Sequence, residues 1–206
     1  VRLLATPKPT SRAVQRRNLR GILEVVPVHD AAHGFCRGRS TATYAAPHAG
    51  REIVVRLDLA DFFVSVRRPR VRALYRALGY PEAVARVLAG LCTSAPPRAT
   101  LASLPSDAAS RRTQQRFRSP HLPQGAPTSP ALANLCAFAL DTRLRAAATS
   151  VSATYSRYAD DLAFSGDAVF ARRAIRFVPF ASAIALAEGF DVRFDKTRIM
   201  RRGARQ

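Results

Sequence analysis

The alternation of apolar and polar positions along the chain predicts β-strands in three segments. Residues 51–58, Arg-Glu-Ile-Val-Val-Arg-Leu-Asp, form a β-branched run that is typical of a core strand and ends on an aspartate. Residues 155–165 set two adjacent aspartates between short β-forming runs, which predicts a hairpin with both carboxylates at its tip. Residues 190–200 alternate again and predict a closing strand or hairpin.

Apolar residues at helical spacing fill most of the chain between these strands, after an extended segment over residues 2–9. The predicted helices run from Ser11 to Pro27, twice between residues 67 and 91, onward from Pro130, and over residues 170–188, where Pro179 kinks or divides the last one. Residues 93–120 are basic and show no period, so they predict a long loop or a partly disordered insertion.

The predicted order of elements indicates an α+β fold. A strand, a group of helices, a hairpin, a further helix and a last strand form the order of a split βαβ sheet, in which carboxylates from distant segments meet at one edge. We therefore expect Asp58 to lie close to Asp160 and Asp161. An isolated pair of aspartates is more often a solvated turn, so the hypothesis of a site depends on Asp58 as a third member.

Three converging carboxylates repel one another unless cations neutralise them, so this arrangement predicts a divalent metal site. Mg²⁺ is favoured because it takes hard oxygen ligands and binds through carboxylates together with substrate phosphates. Two such ions about 3.5–4 Å apart would activate an attacking hydroxyl and stabilise a leaving pyrophosphate. A zinc site at His29, His33, Cys36 and His48 is a much weaker hypothesis, because their spacing matches no ordinary zinc pattern.

The charge of the chain indicates a polyanionic partner. Its 206 residues include 33 Lys+Arg and 14 Asp+Glu, a net charge of +19, and most of the cations are arginines, which bind phosphate oxygens through a planar fork. Such an excess destabilises a fold by self-repulsion unless it meets nucleic acid or an anionic membrane. The chain has no apolar run long enough for a membrane span, so nucleic acid is the favoured partner.

The cysteines and the first residue give two further expectations. Three cysteines without Cys-x-x-Cys spacing favour a reducing compartment, so we expect a cytoplasmic protein with unpaired thiols. Because the chain begins with Val1 rather than Met, we expect it to be a segment of a longer protein.

Three motifs together resemble those of reverse transcriptases, and more specifically of bacterial retron-type reverse transcriptases. Residues 57–63 (Leu-Asp-Leu-Ala-Asp-Phe-Phe) resemble the first catalytic motif, residues 122–130 (Leu-Pro-Gln-Gly-Ala-Pro-Thr-Ser-Pro) the nucleotide-pocket motif, and residues 158–161 (Tyr-Ala-Asp-Asp) the second catalytic motif. The resemblance to retron enzymes rests on His-Gly-Phe at residues 33–35, Arg-Ser at residues 39–40 and Tyr-Ala-Ala-Pro-His at residues 44–48, although retrons have Asn where this chain has Tyr44.

The resemblance implies the fingers and palm of a right-hand polymerase, with the palm an antiparallel sheet of split βαβ type backed by helices. Residues 1–50 would be fingers-like, and residues 51–206 would form the palm, with a fingers excursion at about 67–122 and a basic loop at about 93–120. The Val-Thr-Gly element and the helical thumb expected after the lysine motif are absent from this chain. We therefore expect a poor grip on duplex, and the activity of this segment alone stays open.

The resemblance also implies roles for individual residues. The metal ligands would be Asp58, the carbonyl of Leu59, Asp160 and Asp161, and Lys196 would donate a proton to pyrophosphate. The residues that resemble nucleotide contacts are Arg2, Asp61, Phe62, Phe63, Gln124, Gly125 and Ala126, with Phe63 as a steric gate against a ribose 2′-hydroxyl. Without the resemblance, Phe63 fits ordinary core packing equally well, and Lys196 fits a solvated strand position better.

The implied function is RNA-directed DNA polymerisation, the addition of deoxynucleotides to a primer on an RNA template with two Mg²⁺ ions or with Mn²⁺ in their place. The implied partners are RNA template and primer, the RNA–DNA hybrid, dNTP and a non-coding RNA. A non-catalytic RNA-binding module would explain the charge but not the three aspartates, and a palm-fold nucleotidyl cyclase would not explain residues 124–127. The cognate RNA, the priming mode, the oligomeric state and a role in phage defence or mobility stay open.

Overall fold

The structure is a computed structural model that describes residues 3–103 and 108–203. The chain folds into two compact units. The first unit comprises Val1–Pro27 and Phe63–Cys136, and the second comprises Val28–Phe62 and Ala137–Gln206. This division places residues 28–50 with the strands, whereas the sequence interpretation grouped them with the residues before them.

The first unit is helical in its described part. Its elements are α1 (Pro9–Asn18), which continues as a π-helical turn (Leu19–Leu23), then α4 (Arg68–Ala77), α5 (Glu82–Cys92), α6 (Arg98–Ala102), α7 (Ala108–Phe117) and α8 (Ser129–Cys136). A short helix α3 (Phe62–Ser65) spans the boundary between the units, because Phe62 belongs to the second unit and the other three residues belong to the first. The extended segment predicted for residues 2–9 contributes one bridge, between Leu4 and Gln124, within the described residues.

Polar residues rather than apolar ones hold α1 in place. The helical spacing predicts Val14 as part of the buried face, but its exposed fraction is 39%, while Gln15 and Asn18 are buried. The Asn18 amide donates to the Tyr75 hydroxyl (2.6 Å), and the Gln15 amide donates to the Leu91 carbonyl (2.7 Å). Because buried amides must find partners, these hydrogen bonds fix α1 against α4 and α5.

The prediction of a structureless loop over residues 93–120 is wrong for the described part, which contains α6 and α7. Leu101 and Phe117 are buried in a small cluster with Val64. A few apolar residues in a basic segment are enough to stabilise short helices when tertiary packing buries them. Residues 104–107 lie outside the described part.

The second unit contains a five-stranded sheet with helices. Its elements are α2 (Thr41–Ala45) with a 3₁₀ turn (Ala46–His48), β1 (Ile53–Ala60), α9 (Phe138–Thr149), β2 (Thr154–Tyr158), β3 (Asp161–Gly166), α10 (Ala168–Ala187), β4 (Asp191–Val192), a 3₁₀ turn (Phe194–Lys196) and β5 (Arg198–Arg201). The helix predicted to run on from Pro130 is two helices, because the chain leaves helical geometry at Ala137 (φ −87°, ψ 3°).

The sheet confirms the predicted split βαβ arrangement. Strand β3 pairs antiparallel with both β1 and β2, so β1 and β2 run parallel with β3 between them. The opposite edge of β1 pairs with β5 along Ile53–Arg56 and with β4 at Leu59 and Ala60. The segment predicted as a closing strand or hairpin therefore forms two short strands that both pair with β1, not with each other.

The register of β1 divides its side chains between two faces. Ile53, Val55 and Leu57 are buried on the face that α10 covers, and the alternate positions on the other face include Asp58. Helix α10 continues through Pro179, so the proline does not divide it in two, which was one of the two predicted outcomes. Its aromatic residues pack on the sheet, with the Phe177 ring 5.0 Å from Phe164, and this burial supports the helix across the missing hydrogen bond.

The structure also shows whether any of its helices could span a membrane. Among the described residues, no helix is long and apolar enough to cross a lipid bilayer.

Candidate active site

The structure brings the three predicted aspartates of the second unit together. Asp58 on β1 and Asp161 at the start of β3 are paired in register, so their side chains share one face of the sheet. The Leu59 N–H donates to the Asp160 carbonyl (2.8 Å), which ties the hairpin tip to β1 directly after Asp58. The predicted hairpin is present, with Ala159 and Asp160 as its two-residue loop.

Two non-glycine residues in this region have left-handed backbones. Ala159, the first loop residue of the hairpin, has φ 55°, as primed hairpin turns require, and Asp61 has φ 50°. Gly34 lies against the turn so closely that a Cβ atom there would be 2.6 Å from the Ala159 nitrogen. Such conformations persist only where the surrounding structure holds them, and they concentrate at functional sites.

Two cations approach Asp58. The Lys196 Nζ lies 3.3 Å from Asp58 Oδ2, and the Arg193 Nε lies 3.4 Å from Asp58 Oδ1. Arg193 also reaches Asp61, with 3.7 Å between its Nη2 and Asp61 Oδ1. The sequence interpretation missed Arg193, although its position three residues before Lys196, across a single turn, is a signal that could have indicated it.

One oxygen of Asp58 has no hydrogen-bond donor. The Asp58 side chain is 13% exposed, and its Oδ1 is buried and accepts no hydrogen bond, despite the nearby Arg193. The ion pair with Arg193 at 3.4 Å compensates this buried oxygen without a hydrogen bond, so a closer cation could still bind there. Within residues 3–103 and 108–203, no three acidic, His or Cys side chains form a complete metal-binding group. The Asp58 oxygen instead fits a cation that takes its remaining ligands from substrate phosphates.

The surroundings of Asp160 disfavour its charged form. Burial raises the pKa of Asp160, and the nearby charges of Asp58 and Asp161 raise it further, while Lys196 and a backbone hydrogen bond oppose the shift. A cation between these carboxylates would reverse the repulsion and favour the charged form. Asp58 and Asp160 are therefore the pair that fits a divalent ion best.

Asp161 differs from Asp160 because it already has a partner. Arg56, two residues before Asp58 on the same face of β1, donates from Nη2 to Asp161 Oδ1 (2.9 Å). Both side chains are partly exposed, at 47% and 37%. This pair is weak enough to be displaced by a cation, but it turns Asp161 toward Arg56 in the structure as it stands.

His48 supports the hairpin on the aspartate-bearing face of the sheet. Its Nδ1 and Nε2 lie 2.6 Å from the hydroxyl oxygens of Ser165 and Ser156, so the ring bridges β2 and β3. Burial lowers the pKa of His48 to about 4, which keeps the imidazole neutral. The sequence interpretation used His48 in a retron-like motif and as a fourth ligand of the weaker zinc hypothesis. Both of its ring nitrogens are hydrogen-bonded in the structure, which argues against zinc binding.

The residues that resemble nucleotide contacts are divided between the units. Gln124, Gly125 and Ala126 belong to the first unit, where the Ala5 N–H donates to the Gln124 carbonyl (2.8 Å). Gly125 has φ 109°, and a Cβ there would be 3.1 Å from the Ala5 oxygen, so the close approach needs glycine. This contact fixes the backbone of the motif against the N-terminal segment.

The remaining nucleotide candidates differ in burial. Phe62 is buried and stacks on Phe190 with 5.6 Å between ring centroids, which makes it a core residue of the second unit. Phe63 is only half-buried, in contrast to Phe62. Arg2 lies outside the described residues.

Comparison with known proteins identifies the family of the chain. Residues 1–205 match the family described as "Reverse transcriptase (RNA-dependent DNA polymerase)". The Retron Mx65 and Retron Mx162 reverse transcriptases of Myxococcus xanthus are 45% and 42% identical over 100% of this chain, which covers 46% and 43% of their lengths. The Retron Ec86 reverse transcriptase of Escherichia coli is 30% identical over 97% of this chain, which covers 54% of that protein.

The chain thus spans about half the length of the curated relatives it matches. A solved structure of telomerase from Candida albicans aligns with a TM-score of 0.49 and 9% identity, over 96% of this chain and 35% of that one, and this likeness is too distant to strengthen the assignment. The family match over residues 1–205, on a split βαβ sheet that joins Asp58 to an Asp160–Asp161 hairpin, shows that the chain belongs to the reverse transcriptase family.

Proposed function

We propose that the protein is an RNA-directed DNA polymerase that adds deoxynucleotides to a primer on an RNA template. The observation that carries the proposal is the buried, donor-free Oδ1 of Asp58, which lies in register with the Asp160–Asp161 hairpin in a chain of this family. A carboxylate in that state fits a divalent cation.

Asp58 and Asp160 would hold the metal ions, with the Leu59 carbonyl and Asp161 as further oxygen ligands. Mg²⁺, or Mn²⁺ in its place, supplies Lewis-acid stabilisation of the attacking and leaving oxygens when bound. The protein contributes the rigid spacing of the carboxylates, which the pairing of β1 with β3 and the hydrogen bond from Leu59 to the hairpin fix in advance.

Lys196 would protonate the leaving pyrophosphate. Its ammonium group is 3.3 Å from Asp58 Oδ2 and its side chain is 47% exposed, so it can turn between the carboxylate and a departing phosphate. Arg193 would add a fixed positive charge on the same side, since its side chain already contacts both Asp58 and Asp61. The two cations would thus stabilise negative charge that develops beside Asp58.

The resemblance gives roles in nucleotide binding to residues of the first catalytic motif and of the nucleotide-pocket motif. Phe63 would act as the steric gate that favours deoxyribose, and Gln124, Gly125 and Ala126 would border the incoming dNTP and the template. Arg2, together with the backbone N–H groups of Asp61 and Phe62, would bind the triphosphate.

The net charge of +19 supports binding of the RNA template, the primer and the RNA–DNA hybrid through their phosphates. A non-coding RNA partner would use the same charge. The free state of all three cysteines agrees with a cytoplasmic setting.

The test is primer extension by the full-length protein on an RNA template with an annealed DNA primer, dNTPs and Mg²⁺. Asp160→Asn should lower the extension rate by about 10³-fold or more, because it removes a charge that only the loaded site uses. The matched control is Asp167→Asn, since Asp167 is exposed and pairs only with Arg51 (3.3 Å) in the described part.

Wild-type extension by Asp160→Asn would contradict the metal assignment. Tight hybrid binding without extension by the wild type would identify a non-catalytic binding module instead. Release of pyrophosphate without any template would identify a nucleotidyl cyclase.

A further inference from the structure

A fully buried ion pair lies behind the hairpin, on the face of the sheet opposite the aspartates. Arg157 on β2 and Asp141 on α9 have no exposed side-chain surface. The guanidinium binds the carboxylate in bidentate fashion, from Nε to Oδ1 and from Nη2 to Oδ2, each at 2.7 Å. The Tyr155 hydroxyl donates to the same Oδ1 (2.7 Å), so both oxygens of Asp141 have donors and Oδ1 has two.

The same guanidinium reaches the catalytic turn. Arg157 Nη1 donates to the carbonyl of Ala159 (3.0 Å), the residue that precedes Asp160. Below the guanidinium lies the ring of Phe62, 5.5 Å from the Arg157 Cζ atom. One side chain therefore connects α9, the core and the hairpin loop, and its geometry leaves little freedom to the Ala159 carbonyl.

The backbone of Arg157 is held as well. Its N–H donates to the Ala31 carbonyl, and its own carbonyl accepts from the His33 N–H, each at 2.7 Å. The next residue along that segment is Gly34, which leaves no room for a side chain beside the Ala159 nitrogen. Ala159 is thus fixed by a donor from behind and by the Gly34 backbone on its other side.

Stability is a poor explanation for this ion pair. Burying two charges carries a desolvation cost that their attraction often does not exceed, and apolar residues of similar size commonly stabilise a core as well or better. Ala159 also has a left-handed backbone, which is strained for an alanine and needs an external constraint. The pair supplies that constraint at the residue next to a predicted metal ligand.

We propose that Asp141 and Arg157 are positioning residues that fix the Ala159–Asp160 turn and thereby set the distance between the Asp160 and Asp58 carboxylates. The proposal rests on the proposed function for its consequence in catalysis. Neither residue contacts a reactant; both act through the Ala159 carbonyl. Misplacement of a reacting group by about 1 Å can lower a rate about 10²-fold, so a modest shift of this turn has a large effect.

The main test replaces the pair by apolar residues in the double variant Asp141→Leu, Arg157→Met of the full-length protein. We expect a folded protein with an unchanged dissociation constant for the RNA–DNA hybrid, a kcat lower by about 10²-fold, and a weaker affinity for Mn²⁺ in a titration by electron paramagnetic resonance. The matched control is Arg143→Met, Glu188→Leu, which removes a partly exposed ion pair (2.7 Å) between the same helix α9 and the residue that follows α10.

A second variant tests the turn from the other side in case the double variant does not fold. Gly34→Ala puts a Cβ atom against the Ala159 nitrogen and should shift the turn without touching the ion pair. We expect the same combination of lower kcat, weaker Mn²⁺ binding and unchanged hybrid affinity. Gly90→Ala is the control, because a Cβ there meets nothing within 4 Å.

Wild-type kcat and wild-type Mn²⁺ affinity in Gly34→Ala or in a folded double variant would overturn the proposal. The Mn²⁺ titration also separates this proposal from the proposed function. If the wild type extends no primer but the variants lose Mn²⁺ binding, the positioning role is supported and polymerase activity is rejected. If the wild type extends primers and the variants keep Mn²⁺ binding, polymerase activity is supported and the positioning role is rejected.

Discussion

Two clusters of carboxylates and basic side chains lie on opposite faces of the Asp160–Asp161 hairpin, and they differ in solvent exposure. Behind the hairpin, Asp141 and Arg157 are fully buried and every carboxylate oxygen has a donor. In front, Asp58 contacts Lys196 and Arg193 over 3.3–3.4 Å, the cations are 47% and 38% exposed, and one carboxylate oxygen accepts no hydrogen bond. The same chemical groups thus form one closed contact and one open contact.

The difference indicates which cluster fixes structure and which can take a ligand. A bidentate pair without water resists exchange, because separating it leaves an uncompensated charge in the core. The ion pairs of the mostly buried Asp58 carboxylate are different, because their cations are partly exposed and can exchange with water and ions at lower cost. We therefore expect substitutions behind the hairpin to affect stability first, and substitutions in front to affect catalysis first.

The largest predicted effect is that of Asp58→Asn. Primer extension should fall by about 10³-fold or more, whereas the unfolding free energy should change little or increase, because the variant relieves repulsion with Asp160. Rate measurements and urea unfolding on the same preparation check both parts. A loss of several kcal/mol of stability with extension retained would show that the front cluster is structural and would remove the contrast.

The next effect is that of Asp141→Asn on stability. The variant leaves the Arg157 guanidinium buried without its counter-charge, and breaking such a pair from one side typically lowers the unfolding free energy by about 3–5 kcal/mol. Urea unfolding should show this loss, while Asp167→Asn at an exposed pair should stay within about 0.5 kcal/mol of wild type. Equal stability of the two variants would mean that water reaches Arg157.

Lys196→Met should lower kcat by about 10²-fold and leave the unfolding free energy within about 0.5 kcal/mol of wild type, since an exposed lysine adds little stability but can supply the proton for the leaving group. The measurement is single-turnover extension by the variant and the wild type. A wild-type rate in the variant would assign the proton to another group.

The sequence predicted the front cluster much better than the back cluster. Asp58, Asp160 and Asp161 belong to short motifs at the end of a β-run or in a turn, so local pattern and resemblance both indicated them. Asp141 and Arg157 carry no local signal, because a charged residue inside a helix or a strand normally predicts a solvated position. Only the tertiary fold shows that they meet.

Other differences have the same origin. Gln15 and Asn18 are buried where periodicity favoured apolar residues, and Leu101 with Phe117 stabilises helices in a segment whose composition predicted none. In each case a contact between residues distant in sequence determines the burial or the secondary structure. A pattern over a few neighbouring residues carries no information about such a contact. The strand order was predictable because it follows from the order of elements along the chain.

His48 provides the smallest effect and sharpens the comparison, because it is a buried polar group on the front face. Its folded pKa of about 4 lies below the ordinary value of 6.5, so between those pH values the unfolded chain binds more protons than the folded chain. The unfolding free energy must therefore fall as the pH drops from 6.5 toward 4. Other histidines shift in the same direction, so the wild-type slope alone does not identify the group.

The variant His48→Gln isolates this contribution. It cannot take up a proton, and its dependence of unfolding free energy on pH between 6.5 and 4 should be shallower than that of wild type by at most about 1.4 kcal/mol per pH unit, the value for one proton. Urea unfolding at a series of pH values measures the slope, with His33→Gln as the control at a more exposed histidine. An identical slope in wild type and His48→Gln would mean that the ring is protonated in the folded state. The contacts of His48 with Ser156 and Ser165 would then be accessible to water, like those of Asp58 on the same face. The buried Asp141–Arg157 pair on the other face would be the contact that stabilises the hairpin.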